Sequence, residues 1–353
     1  MRCAEPSARP LRSERRTSSV AAVLTAFLTH NPEDLDAYYG RALPELRAVA
    51  RVVFNPMDRD LTTPELIAAA EGCDVIIAHR STPGEAAVFN DLPNLLAFLR
   101  TAVDISTIDV AAASSAGVLV LHADKSFVPS TAELALALML DLARNVSEST
   151  IDYRGGVQPP QRPGAQLRGR TAGIIGYGAI GSYLANLLRA IGMRVVVCDP
   201  KADTMGDGFE QADFHELLAV SDFVLPLAPA SPETENLIDA EALSTMRPGT
   251  MLVNVSRGEL MDEAAVASAL DSGHLGGLAM DVGQAADQRP SPTLASRPGV
   301  VATPHLGGLT PENANAQALS SVEQVRAIVA GDIPPRAVNA DHARRLDSWR
   351  ARP

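Results

Sequence analysis

The sequence predicts an α/β protein of two domains, each built on a doubly wound parallel sheet, with a cleft between them. Three observations predict it. Short β-branched runs alternate with helical stretches along most of the chain, the pattern of parallel strands joined by crossover helices. At 353 residues, 46% of them apolar and 20% charged, the chain can bury two sizeable cores. A glycine-rich turn at residues 176–181 then opens a second α/β series well inside the chain rather than at its start.

The elements follow in order. Residues 1–18 are rich in Arg, Ser and Pro and are read as a disordered extension. They hold no hydrophobic segment of the kind a secretory signal needs, and Glu5, Pro6, Pro10 and Glu14 spoil an amphipathic targeting helix. From Ser19, Val20–Leu24, Ala50–Phe54, Asp74–Ala78, Leu96–Ala102 and Val118–His122 read as strands. Thr63–Ala70 reads as a helix, with Pro64 suited to its first turn. Ser130-x-x-Glu133 has the form of a capping box opening an apolar helix through Arg144. Its stretch Ala132–Ala143 is more apolar than one face of a small domain requires, which predicts a homodimer. A Gly/Pro-rich loop, Gly155–Gly164, leads to a strand, the glycine turn, a helix over Ile180–Ile191 and a strand over Met193–Cys198. Phe223–Leu227, Met251–Val255, Leu278–Val282 and Val300–Thr303 continue the strand series, and Pro311–Ala330 is helical. That last helix cannot complete the second sheet, so the first domain takes both chain ends. The expected division is 19–120 plus 307–345 for one domain and 121–306 for the other.

Composition excludes several classes of function. A net charge of −12 argues against sequence-independent binding to nucleic acid. No apolar run reaches membrane-spanning length; the longest helical candidate, Leu134–Leu142, is broken by Asp141. Cys3, Cys73 and Cys198 are odd in number, far apart and in no metal-ligand spacing, which reads as reduced thiols in a cytoplasmic protein without a metal.

The turn Gly176-x-Gly178-x-x-Gly181 stands between a β-branched strand and an amphipathic helix, and Asp199 ends the next strand. Dinucleotide binding requires that order. Gly176 permits the tight turn, Gly178 lets backbone approach a pyrophosphate, and Gly181 lets helix pack on strand. The helix start, with Ala179 and Ile180, offers free N–H groups and a positive dipole end to phosphates. Asp199 can accept both ribose hydroxyls and would repel a 2′-phosphate, so NAD is expected over NADP; Lys201 reads as a surface lysine. Pro229 and Asp281 complete the expected cofactor set. This domain therefore reads as a Rossmann-type NAD-binding unit.

Three further blocks carry a family likeness: Leu167-x-Gly169-Arg170-Thr171 with the glycine turn, Val253-Asn254-Val255-Ser256-Arg257-Gly258, and Thr303-Pro304-His305-Leu306-Gly307-Gly308. In this order, from about Asp74 to Asn339, the chain resembles the D-isomer-specific 2-hydroxyacid dehydrogenases. The resemblance implies hydride transfer between NAD and a small 2-hydroxy or 2-keto acid. It also implies that Arg257 holds the substrate's carboxylate and carbonyl oxygens and that His305 is the acid/base, roles that suit a planar donor fork and a group titrating near neutrality. Taken as isolated residues, Arg257 reads more readily as a surface ion pair and His305 as a helix-cap or loop histidine. His79 and Arg80 end a strand of the first domain and are candidate substrate contacts.

Two positions depart from the family pattern. The glutamate that normally supports the histidine is replaced by Ala286, leaving Asp287 or Gln284 as candidate partners of His305. Where the family has Gly-x-Gly, the chain has Ala102-Val103-Asp104. Either the turn survives with Asp104 pointing away, or the substrate differs and brings an amino group to meet it. Without a carboxylate partner, His305 should be little protonated at neutral pH, since the reference imidazole pKa is about 6.5. Keto-acid reduction should then decline as pH rises through neutrality; Ala286→Glu should move that limb up, and Asp287→Asn should move it down only if Asp287 is the partner. Two alternatives remain: a non-catalytic NAD-sensing co-repressor or scaffold, like the C-terminal-binding proteins of the same fold, and an enzyme of the formate dehydrogenase type.

Overall fold

The computed structural model describes residues 23–201, 208–285 and 287–350. The expected extension at 1–18, Cys3 and Ala286 lie outside the described residues. The chain divides into two compact units, Met1–Ala123 with Ala318–Pro353, and Asp124–Gln317. The second division falls inside the helix Pro311–Ala330, about half a helix-length later than the expected boundary at 307.

The first unit holds five parallel strands, β1 Thr25–Leu28, β2 Arg51–Phe54, β3 Val75–Ala78, β4 Ala97–Arg100 and β5 Leu119–Leu121, in the order β2-β1-β3-β4-β5. Successive residues point to opposite faces, and both faces are covered, as parallel sheets require. Leu28, Val75, Ile77, Leu99 and Leu121 pack on one side with Val322, Val325 and Ile328 of the Pro311–Ala330 helix. Phe27, Ile76, Phe98 and Val120 pack on the other with Leu66 and Phe89. The first strand corrects the sequence reading. It lies at Thr25–Leu28, where Phe27 and Leu28 fill the two cores, while Val23 is 67% exposed and residues 20–22 of the expected Val20–Leu24 strand lie outside the described residues. The helix Thr63–Ala69 is closed by a capping box of Thr62 and Glu65 that the sequence reading did not assign.

The second unit holds seven parallel strands: β6 Thr171–Ile175, β7 Arg194–Cys198, β8 Glu210–Gln211, β9 Phe223–Pro226, β10 Thr250–Asn254, β11 Leu275–Met280 and β12 Val300–Ala302. Their order is β12-β11-β10-β9-β6-β7-β8. The chain runs outward from β6 through β7 to β8, then returns to β9 on the other side of β6. The direction of winding thus reverses between β6 and β9, and open α/β sheets bind ligands at the carboxyl ends of the strands flanking such a point. Ile174, Val197, Leu225, Val253 and Ala279 face one core, and Ile175, Val196, Val224, Leu252 and Leu278 the other.

Two expectations are corrected in this unit. β11 begins at Leu275 and ends before Asp281, so Asp281 and Val282 lie in the loop beyond it. Its early glycines hid the strand; a Cβ on Gly276 would lie 2.4 Å from the Gly249 carbonyl oxygen, so the strand start needs glycine for a backbone crossing. The apolar helix runs over Val128–Arg144 with Phe127 at its N-cap and no side-chain cap. Ser130 is therefore inside the first turn, where its hydroxyl bonds Thr310 Oγ1 at 2.9 Å instead of capping the helix.

Candidate active site and cofactor site

The glycine turn lies at the point where the winding reverses. Gly176 has φ +102°, and a Cβ there would come within 2.8 Å of the Ala228 nitrogen beyond β9. Gly181 sits in the first turn of the helix Ala179–Ala190, where a Cβ would lie in the Gly176 carbonyl oxygen. Both glycines are demanded by the protein's own backbone. Gly178 differs, because its φ is −73° and a Cβ would meet nothing within 4 Å. Nothing among the described residues fills the space of a side chain there, which leaves room for a pyrophosphate on the helix end. Gly178 is also the N-cap of that helix and supplies no side-chain bond, so the first N–H groups, at Ala179 and Ile180, keep their donor capacity for an anion.

Asp199 follows β7 directly beside the turn. Its carboxylate accepts from the Tyr177 N–H at 2.7 Å and the Lys201 N–H at 2.8 Å. An ionised carboxylate has about four acceptor positions, so the anchored group retains capacity for a pair of hydroxyls. Pro229 follows β9, and its carbonyl accepts from Thr234 Oγ1 at 2.7 Å. The adjoining Ala228 carbonyl accepts from Ser256 Oγ at 3.0 Å, tying the loop after β9 to the loop after β10. The residues present fit a dinucleotide: a backbone cradle with room at Gly178, an uncapped helix start, and a fixed carboxylate one strand away.

Arg257 is presented by a turn that Asn254 builds. Asn254 is fully buried at the end of β10; its amide donates to the Arg257 carbonyl at 2.8 Å and accepts from the Ser256 N–H at 3.0 Å. Gly258 then passes so close to the Gly283 carbonyl that no side chain fits. His305 follows β12 with φ +62°, a left-handed conformation that costs a non-glycine residue roughly 1–2 kcal/mol. Asp281 holds it there. This residue is 1% exposed, and its carboxylate accepts from Thr303 Oγ1 at 2.6 Å, the Leu306 N–H at 2.7 Å and the Gly307 N–H at 2.8 Å. Its own N–H donates to the Asn254 carbonyl at 3.0 Å. β11 lies between β10 and β12, so Asp281 links the loops of Arg257 and His305. The sequence reading placed Asp281 at the cofactor; the structure spends three of its acceptor positions on the His305 loop. Asn254 and Gly258 were quoted only as part of a block, and the signal that marks them is an amide and a glycine at the end of a buried apolar strand.

The candidate partners of His305 are engaged elsewhere. Gln284 donates to the Met261 carbonyl at 2.9 Å. Asp287 accepts from the Arg289 N–H at 3.1 Å and faces that guanidinium at 3.5 Å, with its side chain 57% exposed.

In the first unit, the loops after β1, β2, β3 and β4 meet at one sheet edge. His79 Nδ1 lies 2.8 Å from Ser81 Oγ and 3.6 Å from Asp34, and its ring stacks on Tyr38. Burial is the main cause that pushes its pKa down. His30 is buried beside it, 5.1 Å between ring centroids, and burial with the neighbouring His79 brings its pKa to about 3. Arg80 is exposed. Ala102 and Val103 are half-buried, and Asp104 is exposed with its carboxylate accepting the Ser106 N–H at 2.9 Å. No metal was expected; among the described residues, Asp34, Asp60 and His79 bring one ligand atom each within 4.8 Å of one another.

Comparisons with known proteins bear on these geometries. Residues 136–307 match the family model described as D-isomer specific 2-hydroxyacid dehydrogenase, NAD binding domain. The chain belongs to the D-isomer-specific 2-hydroxyacid dehydrogenase family. Its cofactor is NAD. D-3-phosphoglycerate dehydrogenase of Mycobacterium leprae is 37% identical over 281 residues, 78% of this chain and 53% of that protein. The Bacillus subtilis protein of the same name is 33% identical over 258 residues, 71% of this chain and 49% of that protein. The chain thus spans about half the length of these relatives. Among solved structures, a family member from Polaromonas superimposes with a TM-score of 0.80 at 28% identity, covering 90% of this chain and 99% of that one. The TT0316 protein of Thermus thermophilus does so with 0.79 at 31%, covering 89% and 100%. No helix among the described residues is long and apolar enough to cross a membrane.

Proposed function

We propose that this family member is an NAD-dependent oxidoreductase that interconverts a small 2-hydroxy acid and its 2-keto acid. The observation that carries the reading is the joint placement of Arg257 and His305. They stand on loops after β10 and β12, on either side of the Asp281 brace, in the unit that carries the NAD cradle. NAD supplies the acceptor, and NADH the donor, of the hydride. Arg257 binds the substrate carboxylate and carbonyl oxygen with its donor fork and so fixes the face that reacts. His305 donates a proton to the carbonyl oxygen during reduction and takes it back during oxidation. The Gly176–Gly181 turn and the helix start orient the pyrophosphate, and Asp199 holds the adenosine ribose. The first unit acts as the substrate domain, with the loop of His79 and Arg80 and the turn of Ala102, Val103 and Asp104 recognising the substrate's remainder. The test is NADH oxidation with a panel of 2-keto acids, together with NAD reduction by D-3-phosphoglycerate, the substrate in the relatives' name. Loss of all turnover alongside intact NADH binding would instead support an NAD-sensing scaffold.

Asp199 sets the cofactor choice. Its carboxylate is fixed beside the turn, and a 2′-phosphate would meet it as a like charge. NAD should exceed NADP in kcat/KM by about tenfold or more, since ~1.4 kcal/mol of repulsion suffices for that factor. Equal values for the two cofactors, with one substrate, would contradict this role for Asp199.

Asp287 meets the N–H and guanidinium of Arg289; if these are the contacts it keeps, Asp287→Asn should leave the pH profile of keto-acid reduction unchanged. A shift of the falling limb to lower pH would assign Asp287 to His305 after all.

The protein forms a homodimer. The apolar side of Val128–Arg144 is spent on its own unit, where Ala132, Ala135, Leu138, Met139 and Leu142 enter the core. Exposed apolar side chains occur on the next helix, Val146–Arg154, where Val146 is 54%, Ile151 67% and Tyr153 65% exposed, and at Val157, 58% exposed. Light scattering at micromolar concentration should give twice the chain mass, and Ile151→Glu with Tyr153→Glu should halve it. A parent protein that is already a monomer would remove the assignment.

A further inference from the structure

Arg100 is the last residue of β4 and the largest of the fully buried side chains, at 1% exposure. A buried guanidinium is costly unless all its donors are met. Here the four terminal N–H groups are met by four acceptors. Nη1 donates to the carbonyls of His79 and Arg80, each at 2.6 Å. Nη2 donates to the Thr82 carbonyl at 2.8 Å and to Thr107 Oγ1 at 3.0 Å. Only Nε, itself buried, has no partner. The acceptors lie in two segments, the loop after β3 and the turn after β4. Burial lowers the guanidinium pKa to about 10, so it keeps its charge at neutral pH.

The surrounding bonds converge on the same loop. Thr29 Oγ1 accepts from the His79 N–H at 2.9 Å and pairs with Thr82 Oγ1 at 2.7 Å. Asn55 donates to the Thr29 carbonyl at 3.0 Å. A wholly apolar residue would fill the core of β4 more cheaply; the fork at this position instead determines the conformation of two loops. Arg80 is left exposed on one of them, and Ala102, Val103 and Asp104 stand on the other.

We propose that Arg100 is the positioning residue of the substrate edge, holding the 79–82 loop and the 101–107 turn in the shape that recognises substrate while touching no substrate atom itself. The inference rests on the proposed dehydrogenase reading for the meaning of that edge, but not for the bonds that hold it. Four of its five N–H groups are committed to its own chain.

The experiment compares Arg100→Lys and Thr107→Val with the parent protein. Lysine keeps the charge but cannot reach two loops with one planar fork. Arg100→Lys should raise the KM for keto acid about tenfold or more, change kcat by less than about threefold, and leave NADH affinity unchanged, because the binding energy of a preorganised loop is what is lost. Thr107→Val removes one of the four bonds and should raise KM about two- to fivefold. Hydrogen exchange supplies the readout that needs no turnover. The amides of 79–82 and 101–107 should exchange about tenfold faster in Arg100→Lys while β3 stays protected, a local opening rather than a global one. A residue that merely stabilises the fold would lower the active fraction and the apparent kcat at unchanged KM, and that result overturns the proposal. Unchanged exchange of both loops overturns it as well, even if the parent reduces no keto acid. Should Arg100→Lys fail to fold, an unchanged KM and unchanged loop exchange in Thr107→Val reject the proposal, and the two- to fivefold rise sustains it.

Discussion

His305→Gln should lower kcat/KM for keto-acid reduction by about a hundredfold to ten-thousandfold, the usual contribution of a positioned acid/base. Glutamine can accept the same left-handed backbone at similar cost, and the Asp281 bonds to the Leu306 and Gly307 N–H groups do not involve the imidazole. The Tm should therefore stay near that of the parent, and the loss should appear in kcat more than in KM. Arg257→Lys should cost a similar factor. The turn beneath it depends on Asn254 and the Arg257 backbone, which the substitution leaves in place. What is lost is two charge-assisted bonds to one substrate, each worth roughly 1.5–3 kcal/mol, or about one to two powers of ten apiece. Steady-state kinetics on both variants, with NADH binding followed by fluorescence, checks the pair. Turnover within threefold of the parent in either variant would remove that residue from the mechanism.

Gly181→Ala should destroy the cofactor site, whereas Gly178→Ala should weaken it without disturbing the fold. At Gly181 two effects oppose each other. Alanine improves helix propensity by about 1 kcal/mol, yet its Cβ would overlap the Gly176 carbonyl oxygen, which belongs to rigid backbone. The clash dominates, because relief requires moving the helix off β6 and unmaking the Gly176 turn; overpacking of this kind costs ~1–3 kcal/mol or more. A Tm lower by several degrees and NADH binding weakened beyond about a hundredfold are expected. At Gly178 the added methyl meets no protein atom, and the backbone is in an ordinary region. Its Tm should match the parent within about a degree, while NADH affinity falls about tenfold or more, since the methyl occupies the approach of the pyrophosphate. Calorimetry and NADH titration separate the two cases. Tight NADH binding by Gly178→Ala would show that the pyrophosphate lies elsewhere.

Much of this protein was legible in its sequence, because the information was local. Strand-period apolar runs separated by helical runs determined a parallel α/β architecture, since only a sheet covered on both faces can bury such strands. The turn at Gly176–Gly181 and Asp199 marked the candidate NAD site, since a tight turn, a helix start and an acid one strand later are neighbours in any such unit. The blocks around Arg257 and His305 determined the family. The remainder was decided by contacts between residues distant in sequence. β1 took Thr25–Leu28, where Phe27 and Leu28 fill two cores. β11 took in glycines because another backbone crosses at Gly276. Ser130 looked like a cap, but the helix had already begun at Val128. Asp281 is an expected cofactor residue, and only the return of β12 beside β11 brings Thr303, Leu306 and Gly307 to its carboxylate. Arg100 carried no sequence signal at all, since a lone arginine ending a strand reads as a surface charge. Its role appears only where two loops fold over one buried guanidinium. Periodicity and turn chemistry act within a few residues, and so a sequence states them; bracing of a site is made by pairs set dozens of residues apart, and only the folded chain determines which of them meet.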